Sequence, residues 1–293
     1  MGSRSPLQRH EPSSDDEFNV LVTGFGSAQP FKDTYPKNPS WEIAASLPEY
    51  LPLANPHNPD QRSRPKLPPV RIYVHPAPIR VSYRTVRAIV PKLWAGTATR
   101  EDSDSDRDVP LDSPVHRTPN REANGPTPAT RIDIVVHIGM AGPRHTYQVE
   151  MLGHRDGYAM SDVDGKMLGD DSPNPETGRR PCDEDDWAWK GTPNHLVTDV
   201  DIKDVHRRWM ELLPGSVPLI LSTDPGRYLC DFIYFSSLAY LYRREERRRV
   251  VFLHVPCDPD EKMLQKGRQV ALGLIQALVE SHAVKKKLEE VEP

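Results

Sequence analysis

The run IDIVVHIG, from Ile132 to Gly139, is apolar at almost every position and shows no alternation. A strand with one wet face alternates apolar and polar residues, whereas a strand buried on both faces does not. This run therefore predicts a central strand covered on both sides. VPLILS, Val217 to Ser222, reads as another buried strand, and RVVFLHV, Arg249 to Val255, as a further strand. Working outward, NVLVT (Asn19 to Thr23), RIYVHPAPI (Arg71 to Ile79) and HTYQVEM (His145 to Met151) also read as strands. Between them lie helical patterns: PSWEIAASL with Pro39 at a first helical position, Ser82 to Trp94, amphipathic Ile202 to Leu212, YLCDFIYFSSLAYLY beginning near Tyr228, and Asp260 to Leu288. Apolar strands alternating with helices predict a three-layer α/β/α sandwich with a mostly parallel central sheet.

Three segments lack the apolar residues a core needs. Residues 1–17 read as a disordered tail. Residues 96–130 form a polar insert rich in Ser, Asp, Arg and Pro, which cannot offset its ordering entropy by burial. Residues 161–193 read as a long loop, with Trp187 and Trp189 packing its end onto something. The rest of 18–293 reads as a single domain. Proline supports this division: the chain of 293 residues has 31, about twice the usual share of roughly 5%. A net charge of -4 supplies no basic field for nucleic acid. No apolar run is long enough to span a bilayer, and the N-terminus lacks a signal peptide's apolar centre. The three cysteines, Cys182, Cys230 and Cys257, have no paired spacing, which argues for a reducing compartment, the cytoplasm.

Phosphate-loop, dinucleotide-binding, zinc-protease, paired-cysteine and serine-hydrolase motifs are all missing. One cysteine stands out. In LILSTDPGRYLCDFIYF a strand ends at Ser222, Asp224-Pro225-Gly226 turns the chain, and Cys230 falls in the first turn of a helix. The N–H groups and positive dipole end there lower a thiol's pKa and can hold an oxyanion. On position alone, a buried small hydrophobe is an equal reading of Cys230. His254 stands at the carboxyl end of its strand, the sheet edge that holds sites in open α/β folds, and it can reach the cysteine if both strands end at that edge. Glu150 is the acid of an otherwise uncharged strand end and a candidate to orient an imidazole. A satisfied strand-end histidine and an exposed strand glutamate are the plainer readings. Cys182 lies in the acidic run CDEDD, which raises a thiol's pKa. Cys257 reads as structural.

Five blocks, in order, are VLVTGFG…PF…NPSW, IYVHPAPIRVSYRTVRAIVPKLW, VVHIGMAG…VEMLGHRDGY, STDPGRYLCDFIYFSSL and FLHVP. With them the chain resembles pyroglutamyl-peptidase type I, a family of intracellular cysteine peptidases, in its eukaryotic form. The resemblance implies a phosphorylase/hydrolase-like fold and a Glu150-Cys230-His254 triad. It implies hydrolysis after an N-terminal pyroglutamyl (5-oxoproline) residue through a thioacyl intermediate, with peptides blocked in this way as partners. Neither metal nor organic cofactor is implied. Pyroglutamate ends in a neutral lactam, so its pocket should be apolar with a few hydrogen bonds. Phe25 and Phe31 of the first loop, with Met140, Tyr228 and Leu229, are the expected pocket residues. The family loop reads T-G-F-x-P-F; here Ser27-Ala28-Gln29 stand between Gly26 and Pro30-Phe31. That insertion favours a second expectation, a catalytically impaired relative that binds blocked peptide ends or a protein partner.

Overall fold

The computed structural model describes residues 17–27, 37–52, 67–103, 125–128, 130–142, 145–173, 175–213 and 218–291. Residues 1–16 of the expected tail, 104–124 and 129 of the insert, Phe31, and Ala28-Gln29 of the loop insertion lie outside the described residues.

The principal sheet has six strands. In chain order they are β1 (Phe18–Gly24), β2 (Val70–Val74), β3 (Ile134–Met140), β4 (Tyr147–Glu150), β7 (Leu219–Ser222) and β8 (Val250–Val255). A short antiparallel ribbon is made of β5 (Leu152–His154) and β6 (His195–Val197). The spatial order is β2-β1-β3-β8-β4-β7. Helices α1 (Pro39–Ser46), α3 (Ile202–Leu212) and α5 (Glu261–Val291) cover one face, and α2 (Tyr83–Trp94) and α4 (Leu229–Arg243) the other. This is the expected α/β/α sandwich.

Alternation along the strands divides the core. Val20, Val22, Val136, Ile138, Val251 and Leu253 face α1, α3 and α5, while Leu21, Val135, Val250 and Phe252 face α2 and α4. Residues two apart share a face, so Gly139 and His254 belong to the α4 side. Both α1 and α3 start as their sequences predict: Asn38 accepts from Ser40 N–H at 3.1 Å with Pro39 at the first helical position, and Asp201 accepts from Asp204 N–H at 3.0 Å.

Several expectations are corrected. The strand predicted for Arg71 to Ile79 stops at Val74; Pro76 and Pro78 have no N–H for a ladder. VPLILS is not a buried strand: β7 is a sheet edge, with Ile220 39% exposed. Strand β4 runs antiparallel to β8, and β7 runs parallel to β4. The connection from β3 to β4, residues 141–146, is too short for the crossover that parallel strands need, so β4 has to return. The first residues of the predicted insert, up to Ser103, pack on the domain. Glu101–Ser103 forms a 3₁₀ turn, Ser103 is fully buried, and its carbonyl accepts from Arg80 N–H at 3.0 Å. The 161–193 loop is tied down as its tryptophans predict. Arg87 donates twice to Asp170, at 3.0 and 2.7 Å, Trp187 Nε1–H donates to Asp170 at 2.8 Å, and Trp189 is buried among Phe232 and Phe235.

Candidate active site

Strands β4 and β8 place Glu150 and His254. Gln148 pairs with His254 and Glu150 with Phe252, so Glu150 and His254 are diagonal neighbours on the α4 face. Their side chains meet: His254 Nδ1 lies 2.7 Å from Glu150 Oε1. Glu150 is fully buried and His254 is 6% exposed. Glu150 Oε2 has no hydrogen-bond partner among the described residues. The imidazole is thus the one group the carboxylate's side chain engages there, and Nε2 is left for other work.

Cys230 arrives from the helix layer. Gly226 adopts φ +86, a left-handed conformation that suits glycine, and turns the chain from β7 into α4. The N-terminus of α4 has no side-chain cap at Tyr228, so its first N–H groups resemble an anion-binding helix start. Cys230 stands within that first turn. Its Sγ lies over Gly139 of β3, 2.8 Å from where a Cβ on that glycine would stand. Gly139 pairs directly with His254, and paired strands lie about 4.8 Å apart. The thiol, the imidazole and the carboxylate therefore share one face of the sheet.

The reason expected for this meeting was wrong. Strand β7 runs against β8, so the carboxyl ends of the two strands do not share an edge. What brings Cys230 to His254 is α4 lying on the sheet face, with the missing side chain of Gly139 making room for sulfur. The expected lowering of the thiol pKa is also overturned. Burial, then the nearby Glu150 and Asp231 carboxyls, push the Cys230 thiol up to about 12. These effects outweigh the helix dipole, and the resting thiol is neutral.

The expected pocket residues divide. Phe25 is 4% exposed and Leu229 1%, both in the apolar cluster under α2 and α4. Both side chains are packed into that cluster rather than displayed to solvent. Tyr228 is partly exposed; its hydroxyl donates to Ser161 O at 3.2 Å, and its ring stands edge-on to Tyr83 at 6.3 Å. Met140 is partly exposed at the end of β3, beside Val255. The first loop is anchored by α1: Phe25 N–H donates to Ser40 Oγ at 3.1 Å, and Asn38 Nδ2–H to Gly26 O at 3.0 Å. A separate groove of 550 Å³ runs between α2 and residues 162–170. Three of its carboxylates are already engaged, Asp162 by Tyr83 N–H, Asp164 by Arg80 and Asp170 by Arg87.

A family profile described as pyroglutamyl peptidase matches residues 120–288. Pyroglutamyl-peptidase 1 of Rattus norvegicus is 30% identical over 237 residues, which cover 81% of this chain and 78% of that protein. This chain belongs to the pyroglutamyl peptidase family. Pyroglutamyl-peptidase 1 of Homo sapiens is 29% identical over the same shares of both chains. Among solved structures, the pyroglutamyl peptidase I from Bacillus amyloliquefaciens matches with TM-score 0.54 at 18% identity, over 92% of this chain and 96% of that one. Pyrrolidone carboxyl peptidase from Pyrococcus furiosus matches with TM-score 0.52 at 18% identity, over 93% and 99%. These structures share the fold of this pyroglutamyl peptidase family member.

Three features of the family member's site were missed in the sequence. Gly139 ends the predicted strand Ile132 to Gly139, and a glycine inside an apolar strand signals close approach. Asp231, fully buried, accepts from His154 N–H at 2.9 Å and lies 3.2 Å from His154 Nδ1. Tyr234, one turn after Cys230, donates its hydroxyl to the Glu150 carbonyl at 2.9 Å. Among the described residues no group of three or more His, Cys, Asp or Glu could hold a metal ion, and no helix is long and apolar enough to cross a membrane.

Proposed function

We propose that this chain is a cysteine omega-peptidase that removes the N-terminal pyroglutamyl residue of peptides through a thioacyl intermediate. The observation that carries the reading is the Glu150–His254 contact of 2.7 Å on the sheet face where the Cys230 sulfur lies over Gly139. Family membership supplies the substrate class, since the relatives are pyroglutamyl-peptidases.

In this reading the resting thiol is neutral, so its proton leaves as it attacks. His254 Nε2 accepts that proton, and Glu150 holds the ring through Nδ1–H and stabilises the imidazolium. Sulfur adds to the carbonyl that joins the pyroglutamyl ring to the next residue. The first N–H groups of α4 receive the oxyanion. The tetrahedral adduct collapses as His254 protonates the departing amine, leaving the pyroglutamyl group on sulfur. His254 then takes a proton from water, which attacks the thioester and releases pyroglutamate and Cys230. Tyr228 and Met140, with Phe25 and Leu229 behind them, form the apolar side of the lactam pocket; Phe31 is assigned there by resemblance. The three unpaired cysteines fit a cytoplasmic enzyme.

The test is release of a fluorophore from a pyroglutamyl amide, with Cys230→Ser as control. The wild-type chain should release it, and the variant should lose roughly 10⁴-fold or more of kcat. A folded wild-type chain that releases nothing sinks the reading.

A further inference from the structure

A second histidine–carboxyl pair is built on the residue that follows Cys230 in α4, and the proposed reaction has no step for it. Asp231 follows Cys230 in α4 and is fully buried. Its Oδ1 accepts the His154 N–H at 2.9 Å, and its Oδ2 lies 3.2 Å from His154 Nδ1. Tyr158, also buried, fixes the same strand by donating to His154 O at 2.5 Å. The nearest cation, Arg227, leaves Asp231 Oδ2 at 3.7 Å. Its NH1 is committed at 3.0 Å to Asp224 and at 2.6 Å to Gly226 O.

The other charged or titratable groups around the carboxyl do little to favour its anion. Cys230 adjoins it on α4, Glu150 reaches the site from β4, and Asp224 comes from the turn. Tyr234 lies on α4, and His195 of β6 pairs opposite His154. A buried carboxyl near a second buried carboxyl and without a committed cation keeps its proton. Burial pushes Asp231 up to about 8, and burial followed by the Arg227 charge lowers His154.

The geometry points to Asp231 as a positioning residue for the thiol that works as a neutral carboxylic acid, sharing one proton with His154, and whose ionisation turns the surroundings of Cys230 against thiolate. As the acid, its O–H donates to Nδ1 while Oδ1 keeps the backbone N–H, which ties the start of α4 to β5. As the anion, it adds a negative charge on the residue that follows Cys230 in the first turn of α4, and proton transfer from Cys230 to His254 becomes harder. The pair titrates as a unit. This role rests on Cys230 being the attacking thiol, which Cys230→Ser tests separately through turnover.

The test does not need turnover. Iodoacetamide alkylation of Cys230 is followed from about pH 6 to about pH 10 in the full chain and in Asp231→Asn. Peptide mass mapping separates Cys230 from Cys182 and Cys257. In Asp231→Asn the alkylation midpoint should fall by about one pH unit, a tenfold gain in thiolate at a given pH. The kcat/KM for a pyroglutamyl amide should hold to correspondingly higher pH. Identical alkylation profiles in the two proteins, or a higher midpoint in the variant, overturn the role. Should Asp231→Asn fail to fold, infrared difference spectra of the wild-type chain decide. Between about pH 6 and about pH 9 they should show one buried protonated carboxyl band disappearing, and its absence at the lower pH overturns the role as well.

Discussion

Two histidine–carboxyl pairs flank Cys230, and they use the same two side-chain types differently. Glu150 and His254 sit on adjacent antiparallel strands and touch at 2.7 Å through one carboxylate oxygen, with Glu150 Oε2 unpartnered among the described residues. Asp231 and His154 join a helix start to a short ribbon. Both oxygens of Asp231 are engaged, one by a backbone N–H and one by the imidazole. The first arrangement directs a carboxylate at one imidazole and leaves Nε2 to act. The second spreads the carboxyl over backbone and ring, so it holds two elements together. What separates an orienting pair from a fastening pair is which atoms remain uncommitted.

Breaking the first pair should have the largest effect. On the proposed reading, His254→Ala lowers kcat roughly 10⁴-fold or more, since no base remains for the neutral thiol. Glu150→Gln keeps the shape but removes the charge and offers Nδ1 the wrong partner, with an expected kcat loss of about 10³- to 10⁴-fold. Single-turnover kinetics with a pyroglutamyl amide measure both. A loss below tenfold in Glu150→Gln would show that the contact does not orient the base.

Gly139→Ala tests the space between the pairs. A Cβ there would stand 2.5 Å from Phe252 Cζ and 2.8 Å from Cys230 Sγ. The Phe252 ring packs at 4.8 Å on the His254 ring, so one methyl group displaces sulfur and base together. Such overpacking costs about 1–3 kcal/mol of stability, and misplacing the reacting groups costs about 10²-fold in kcat. Thermal unfolding and kcat, measured together, check this. Unchanged kcat would mean that the sulfur moves aside without consequence.

Much of this was readable from residues alone. Unbroken apolar strands predict the covered sheet, and the elements carrying Glu150, Cys230 and His254 were placed within a few residues of their bounds. The reversal of β4 was also readable in principle, from the short 141–146 connection, yet strand type alone says nothing about direction. What had no local signal was contact across the chain. Asp231 and His154 lie 77 residues apart, and neither looks unusual among its neighbours. The thiol's pKa was misjudged for the same reason: position in a helix is local, whereas Glu150 comes from a distant strand.

Breaking the second pair should show first in the pH dependence of stability. Asp231 is raised from the usual 3.8 to about 8 by burial. The folded chain therefore keeps a proton there that the unfolded chain releases. That contribution is complete below about pH 4 and is lost as the pH rises toward 8. Asp231→Asn removes this slope, so the stability of the variant relative to wild type should rise between about pH 5 and about pH 8. Urea unfolding at several pH values reads the difference. A flat difference would mean that Asp231 titrates alike in both states.

The smallest effect belongs to the link between the pairs. Tyr234 stands one turn beyond Cys230 in α4 and donates to the carbonyl of Glu150 at 2.9 Å. Its hydroxyl is thus a direct tie between the helix that carries the thiol and the strand that carries the orienting acid. Tyr234→Phe deletes that hydroxyl and leaves the ring packed near Phe252 at 5.9 Å. The Glu150 carbonyl is then left without this donor in a dry place, at a cost of about 1–3 kcal/mol. Stability should fall by that amount, while kcat falls by no more than about tenfold, because Glu150 also keeps its β4 pairing with Phe252. A fall in kcat as large as that of Glu150→Gln would mean that the strand does not hold the acid by itself, and that the fastening contacts of α4 set the position of the orienting pair.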